Sequence, residues 1–280
     1  TPVCSSAASD VYKRQTSVIV SAKLPVTKGC RKEPFGEPAM KRVLLTGAAG
    51  SIGTFLRREL AGVYEELVCA DIQGIGDTRP GERYLALDIT DPQACIDACD
   101  GIDGILHFAG QAGENTWEDI RAKNIDGAYN MFEAARIQGV GRICFATSNH
   151  AVGYYPRDRR IGVDHKVLAD SRYGVSKAFG EALGSLYANK HGIGVFMMRI
   201  GNVSETPADK RRLSIWISPR DMAQLCRIGL EHPGIGYEIV FGVSNNDRSF
   251  YDNSNAHRLG YKPQDSSEDY ATTVLAAEPA

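Results

Sequence analysis

No stretch of the chain approaches the about 20 consecutive apolar residues that span a bilayer, so a soluble, cytoplasmic protein with no membrane partner is expected. Neither sign of charge dominates: 32 Lys and Arg face 34 Asp and Glu, for a net charge of −2. That balance removes the electrostatic case for a nucleic-acid or anionic-surface partner. Cysteine forms no pattern, with seven residues, odd in number and scattered. Cys69 and Cys144 fall in apolar runs, where a thiol packs as a small apolar group. Cys95 and Cys99 share a helix face, but no histidine lies nearby to complete a metal site. Reduced thiols and no metal are therefore expected. Internal repeats and low-complexity blocks are missing from residues 40–280. Apolar residues, in contrast, make up 43% of the 280-residue chain. That is enough for one α/β domain with additions, or two small domains.

Residues 1–39 differ from the rest. They mix Ser, Thr, Pro and Lys/Arg without periodicity and stop at Met40, directly before the first apolar run. A transit peptide has a similar basic, hydroxyl-rich character, but Asp10, Glu33 and Glu37 and the lack of an amphipathic pattern weigh against one. The segment is expected to be a disordered or artefactual extension that carries no chemistry.

The stretch from Lys41 to Gly53 organises the rest of the chain. Val43, Leu44 and Leu45 read as a short buried strand, and Ile52, Phe55, Leu56 and Leu60 recur at helical spacing. Between them Gly47, Gly50 and Gly53 permit a tight turn and close approach to a pyrophosphate, with the helix N-terminus offering N–H groups to that anion. A plain αβ turn is the bland alternative; context decides, because strand, turn and helix are succeeded by an acid at the right distance. That acid, Asp71, ends the run Leu67–Ala70, where its carboxylate can accept from ribose hydroxyls. It would repel a 2′-phosphate, and Ile72, Gln73 and Gly74 supply no arginine to hold one, so NAD is expected rather than NADP.

Further on, Tyr84–Leu87 reads as a third strand leading to Asp88, which either meets the adenine ring or is an ordinary loop carboxylate. Thr90 is expected to cap the next helix, with Pro92 in its first turn and Gln93 at the capping-box position. A fourth strand at 104–110 leads into small residues that allow close approach to a cofactor. A long helix over 116–138 carries Trp117, Ile120, Phe132 and Ala135 on its apolar side and is ended by Gly139. The fifth strand is Arg142–Ser148. Strands alternating with helices in this way give an α/β, Rossmann-type, doubly wound parallel sheet. It is expected over 40–200, with a small substrate-binding part over 201–280.

Ser148 ends the fifth strand, where the crevice of such a sheet lies. Tyr173 and Lys177 stand four residues apart, on one face of a helix. A tyrosine titrates near 10, too high for a base at neutral pH. A nearby ammonium and a nicotinamide cation favour the phenolate and are expected to lower that value. Tyr173 could then take a hydroxyl proton while hydride leaves for the cofactor, and Ser148 could hold the substrate oxygen. An exposed Tyr/Lys pair on a helix surface is the bland alternative.

The motifs Thr46-Gly-x-x-Gly-x-x-Gly53, Asn124-x-x-Gly127, Ser148 and Tyr173-x-x-x-Lys177 resemble the extended short-chain dehydrogenase/reductase superfamily over essentially all of 41–280. Within it, Phe145-Ala-Thr-Ser-Asn-His150, Gly153-Tyr-Tyr-Pro156, Arg199-Ile-Gly201 and Arg211-Arg-Leu-Ser-Ile-Trp216 are similar to the NAD-dependent uronate dehydrogenases. The resemblance implies oxidation of a cyclic hexuronic acid at C1, giving an aldarolactone and NADH. It implies cofactor contacts from Gly47, Gly50, Ser51, Ile52, Gly53, Asp71, Asp88, Ile89, Ala109, Gly110, Asn124, Tyr173, Lys177 and Ile200, with Asn124 propping the active-site helix. Ser148, Asn149, His150 and Asn202 would meet the sugar, and Arg211 would hold its carboxylate. A self-associating enzyme is compatible with this picture. From the residues alone, Arg211 could equally be a solvated member of the Lys210–Arg212 cluster, and His150 a packing residue. At two sugar-facing positions where the family has serine, this chain has Ala112 and Asn202. A related branch acting on aldoses or sugar phosphates shares Ser-Asn-His-Ala-Val-Gly and Arg-Ile-Gly-Asn and is the alternative. A nucleotide-sugar epimerase and a non-enzymatic NAD sensor are further alternatives. The first wants a larger C-terminal part; the second commonly lacks the tyrosine or lysine.

Overall fold

The computed structural model describes residues 40–277; the expectation for residues 1–39 lies outside them. Strand β1 (Arg42–Thr46) is built on Val43, Leu44 and Leu45, all fully buried. A strand covered on both faces needs such a continuous apolar run. Val43 and Leu45 face one layer with Leu56, Leu60, Leu225 and Leu230. Leu44 faces the other, with Val68, Ile105, Phe132 and Leu183. A fully buried leucine contributes about 1.5–3 kcal/mol, against about 0–1 kcal/mol for an exposed ion pair, so these two apolar layers hold the fold.

The chain continues through α1 (Ser51–Glu59), β2 (Glu66–Asp71), β3 (Glu82–Ala86), α2 (Pro92–Ala98) and β4 (Gly104–His107). Next come α3 (Trp117–Ile120), α4 (Gly127–Gln138), β5 (Arg142–Ser148), α5 (Arg172–His191) and β6 (Gly194–Ile200). A short pair, β7 (Asn202–Val203) and β8 (Trp216–Ile217), brackets α6 (Arg212–Ile215). The described part ends with α7 (Pro219–Glu231), β9 (Tyr237–Gly242), α8 (Ser254–Arg258) and α9 (Ala271–Ala276). Seven strands form one parallel sheet in the order β3-β2-β1-β4-β5-β6-β9. This is the α/β Rossmann-type fold expected. After β1 the chain moves first to one side and then, from β4, to the other, opening a crevice at the C-terminal strand ends. β9 pairs with β6 in register Met197↔Ile239, so part of the segment after residue 200 extends the sheet.

Several local expectations are corrected. The third strand starts two residues before and ends one residue before the expected Tyr84–Leu87, and it is the sheet edge, with Tyr84 37% exposed. Asp91, not Thr90, caps α2: its carboxylate accepts from the N–H groups of Gln93 and Ala94, while the Thr90 hydroxyl donates to Asp88. Trp117 is 43% exposed rather than on the buried face. The long helix over 116–138 is interrupted at Arg121–Asp126 by a π-helical turn. Cys69, Cys95, Cys99, Cys144 and Cys226 are free and buried; burial pushes Cys69, Cys95 and Cys99 up to about 12, so they act as inert core residues. Among the described residues no helix is long and apolar enough to cross a membrane.

Candidate active site

Gly47 leaves β1 with φ +76°, and a Cβ there would lie 2.7 Å from the backbone of Phe108 and Ala109. At Gly53 a Cβ would stand 2.1 Å from the Gly47 carbonyl oxygen. Only glycine lets turn, helix and β4 approach this closely. Gly50 caps α1 without a side chain, so the helix opens with N–H groups that no side chain covers. Asp71, at the end of β2, is tied to this turn: one carboxylate oxygen accepts from Ala49 N at 3.0 Å, the other from Gln73 N at 3.0 Å. Asp88 is exposed and accepts from both the N–H and the hydroxyl of Thr90. Ile89 is buried against Gly127, Ala109 and Gly110 follow β4, and Ile200 ends β6 beside Ser148. These residues lie at the C-terminal ends of β1, β2 and β6 and in the segments that follow β1, β3 and β4. Ser51 and Ile52 open α1.

Asn124 sits in the π turn, 4% exposed, and joins two elements. Its Oδ1 accepts from Gln111 N at 2.7 Å, and its Nδ2 donates to the Gln111 carbonyl and to Ser176 Oγ, both at 3.0 Å. Ser176 in turn donates to the Tyr173 carbonyl. π turns recur at functional positions because they re-aim a side chain; here the effect is to tie the loop after β4 to α5.

Ser171 caps α5, and the helix carries Tyr173 and Lys177 toward the end of β5. Ser148 is only 4% exposed; its hydroxyl donates to Asn149 Oδ1 at 3.3 Å, accepts from His150 N, and acts electrostatically on the Tyr173 phenol. Lys177 is 7% exposed; its Nζ donates to the Ala146 carbonyl at 2.8 Å and lies 5.4 Å from the Tyr173 ring centre. Burial pushes Lys177 down to about 8. The expected lowering of the Tyr173 phenol is not present in the chain by itself. Burial raises it, Ser148 opposes that, and Lys177 is not among the causes. Desolvation of the phenolate outweighs the Ser148 interaction.

Behind this group His107 is buried, its Nδ1 2.8 Å from Thr46 Oγ1. Burial and the Lys177 charge push it down to about 3. Between pH 6.5 and 3 the unfolded chain would bind a proton that the folded one refuses, so stability is present above the unfolded value and is lost as pH falls through this window. His107→Asn is expected to flatten this acid slope in urea-unfolding curves taken from pH 7 to 4; an unchanged slope would place the acid sensitivity elsewhere.

On the substrate side, the His150 Nδ1 lies 2.9 Å from both oxygens of Asp170, and its ring stands edge-on to Tyr173 at 5.7 Å. Asn149 Oδ1 accepts from the Ser148 hydroxyl at 3.3 Å, and the Asn149 side chain acts on the buried Tyr251 phenol. Asn149 and Arg211 line one pocket together with Asp170, Ile215 and Tyr251. Asn202 lies on β7, where its side chain accepts from Ser204 rather than facing that pocket. Sequence reading missed Asp170 and Tyr251. Asp170 precedes a helix cap, a pattern that suggests a turn only, and Tyr251 reaches the site through tertiary folding.

The crevice, the glycine turn and the Tyr/Lys helix define a dinucleotide-dependent enzyme of the short-chain dehydrogenase type. Residues 43–232 match the NAD dependent epimerase/dehydratase family, and the chain belongs to it. The chain is 42% identical over 240 residues to a uronate dehydrogenase of Pseudomonas putida, covering 85% of this chain and 89% of that one. It is 37% identical to an NAD-dependent glucose-6-phosphate dehydrogenase of Haloferax volcanii, covering 81% and 95%. The crystal structure of uronate dehydrogenase from Agrobacterium tumefaciens superposes with a TM-score of 0.84 at 40% identity, over 87% of this chain and 91% of that one.

Proposed function

We propose that this protein is a cytoplasmic NAD-dependent dehydrogenase that oxidises C1 of a cyclic hexuronic acid to the aldarolactone. The single observation that carries the reading is the convergence of Ser148, Tyr173 and Lys177 beside a pocket that presents Arg211. NAD, when bound, supplies the hydride acceptor. The glycine turn and the uncapped start of α1 suit its pyrophosphate, and Asp71 suits an unphosphorylated ribose. Ser148 holds the C1 hydroxyl, and Tyr173 takes its proton. Lys177, buried and 5.4 Å from the Tyr173 ring, presents its ammonium to the phenolate before the proton is taken; Asn124 keeps the helix in place through Ser176. His150, oriented by Asp170, and Asn149 hold ring hydroxyls. Arg211 binds the C6 carboxylate, for which a planar guanidinium is suited. Residues 201–280 form the substrate part, with α7 and β9 lent to the sheet.

Initial rates with NAD and galacturonate or glucuronate test this. NADH formation with either is expected. Arg211→Gln should raise KM for the uronate about ten- to a hundredfold, the loss of a charge-assisted hydrogen bond. The shared His150-Ala-Val-Gly153 and Asn202 favour a second reading, an aldose or sugar-phosphate 1-dehydrogenase. NADH from glucose or its 6-phosphate, with none from a uronate, would select it.

A further inference from the structure

The pocket beside Arg211 holds a second cation. Arg157 lines it too, presented by a loop anchored at both ends. Tyr154 N donates to the Leu168 carbonyl at 3.1 Å, and Ile161 N to that of Phe250 at 2.9 Å. Between these anchors Arg159 stacks over Tyr155. Among the described residues, Arg157 and Arg211 are the arginines whose guanidiniums have neither a carboxylate or carbonyl partner nor an aromatic ring beneath them. The one carboxylate in the pocket, Asp170, is already engaged: both oxygens face His150 Nδ1 at 2.9 Å, and Ser171 Oγ donates to one of them. Arg157 and Arg211 act together on the buried phenol of Tyr251, where both charges oppose the effect of burial. Solvated surface arginines are ordinary. Two unneutralised ones converging on one buried phenol in one pocket are not explained by solvation.

We propose that Arg157 is a second anion-binding residue of the substrate pocket, closing on the C6 anionic group of the sugar from the side opposite Arg211. The inference rests on the reading that Arg211 faces that group. A carboxylate has two oxygens and about four lone-pair sites, enough for two guanidiniums at once. The pocket thereby selects sugars with an acid at C6 over neutral ones.

Kinetics of Arg157→Gln and Arg157→Lys with galacturonate, glucose 6-phosphate and galactose test this. Arg157→Gln is expected to raise KM for the charged substrate about tenfold while kcat and the galactose parameters stay as in wild type. Arg157→Lys should recover part of the loss. An unchanged KM for the charged substrate overturns the inference, and so does an equal loss with galactose, which would mark a structural role. If the wild type turns over glucose 6-phosphate but no uronate, the uronate reading fails, and Arg157 is judged on the phosphate KM by the same criteria. A wild type that oxidises only neutral sugars overturns both.

Discussion

Tyr173→Phe is expected to lower kcat by about two to four orders of magnitude, the usual range for a lost general base, while NAD still binds. The phenol is the group placed to take the proton, under the influence of Ser148 and with its ring centre 5.4 Å from Lys177 Nζ. Its ring also stands against His150, and phenylalanine keeps that packing. Measuring NAD affinity by protein-fluorescence quenching beside the NADH assay separates chemistry from binding. Turnover within tenfold of wild type would remove Tyr173 as the base. Because burial raises the phenol in the free chain, the lowering needed at neutral pH must come with the cofactor. The wild-type kcat should therefore fall on the acid side, as protonated Tyr173 accumulates, and Tyr173→Phe should lose that limb.

The largest effect on stability is expected at Glu181. Its carboxylate receives Arg199 Nε and Nη2, each at 2.9 Å, and the Thr147 hydroxyl at 3.0 Å, all in a buried setting. Arg199 Nη1 has no partner even so. Glu181→Gln would leave a buried guanidinium without its counter-charge, which costs about 3–5 kcal/mol when one member of such a pair is removed. A double variant, Glu181→Leu with Arg199→Met, should recover most of that loss, because two apolar groups of similar size need no desolvation of charge. Urea unfolding of wild type, Glu181→Gln and the double variant checks both statements; a double variant no more stable than Glu181→Gln would mean that the two side chains do not act as a pair. The location connects stability to function. Thr147 and Arg199 are register partners, one residue before Ser148 and Ile200. The ion pair therefore braces the strand ends that carry the site.

What could be read from the chain was local. The Gly47–Gly53 turn, the run Arg142–Ser148 and the Tyr173/Lys177 spacing each lie within a dozen residues, and their periodicity reflects the element that forms. The start of the edge strand is illegible because its residues are half exposed and their pattern is set by the neighbouring strand rather than by a core. Thr90 and Asp91 are both able caps, and only the backbone path chooses between them. Arg157, Asp170, Tyr251 and Glu181 had no legible role, since each acquires its meaning from partners brought near by folding. The direction of the Tyr173 shift is hidden for the same reason: a spacing shows the lysine but not how much water is excluded around the phenol.

The π turn at Arg121–Asp126 carries a consequence for how the chain can change length. Deleting one residue there would let the helix run on as an uninterrupted α-helix with its flanks still in phase, but without the widened turn that aims Asn124. Asn124 would then release Gln111 and Ser176 together. A single-codon loss in a segment that contributes none of Ser148, Tyr173 and Lys177 should therefore be as damaging to activity as a change in the helix it steadies.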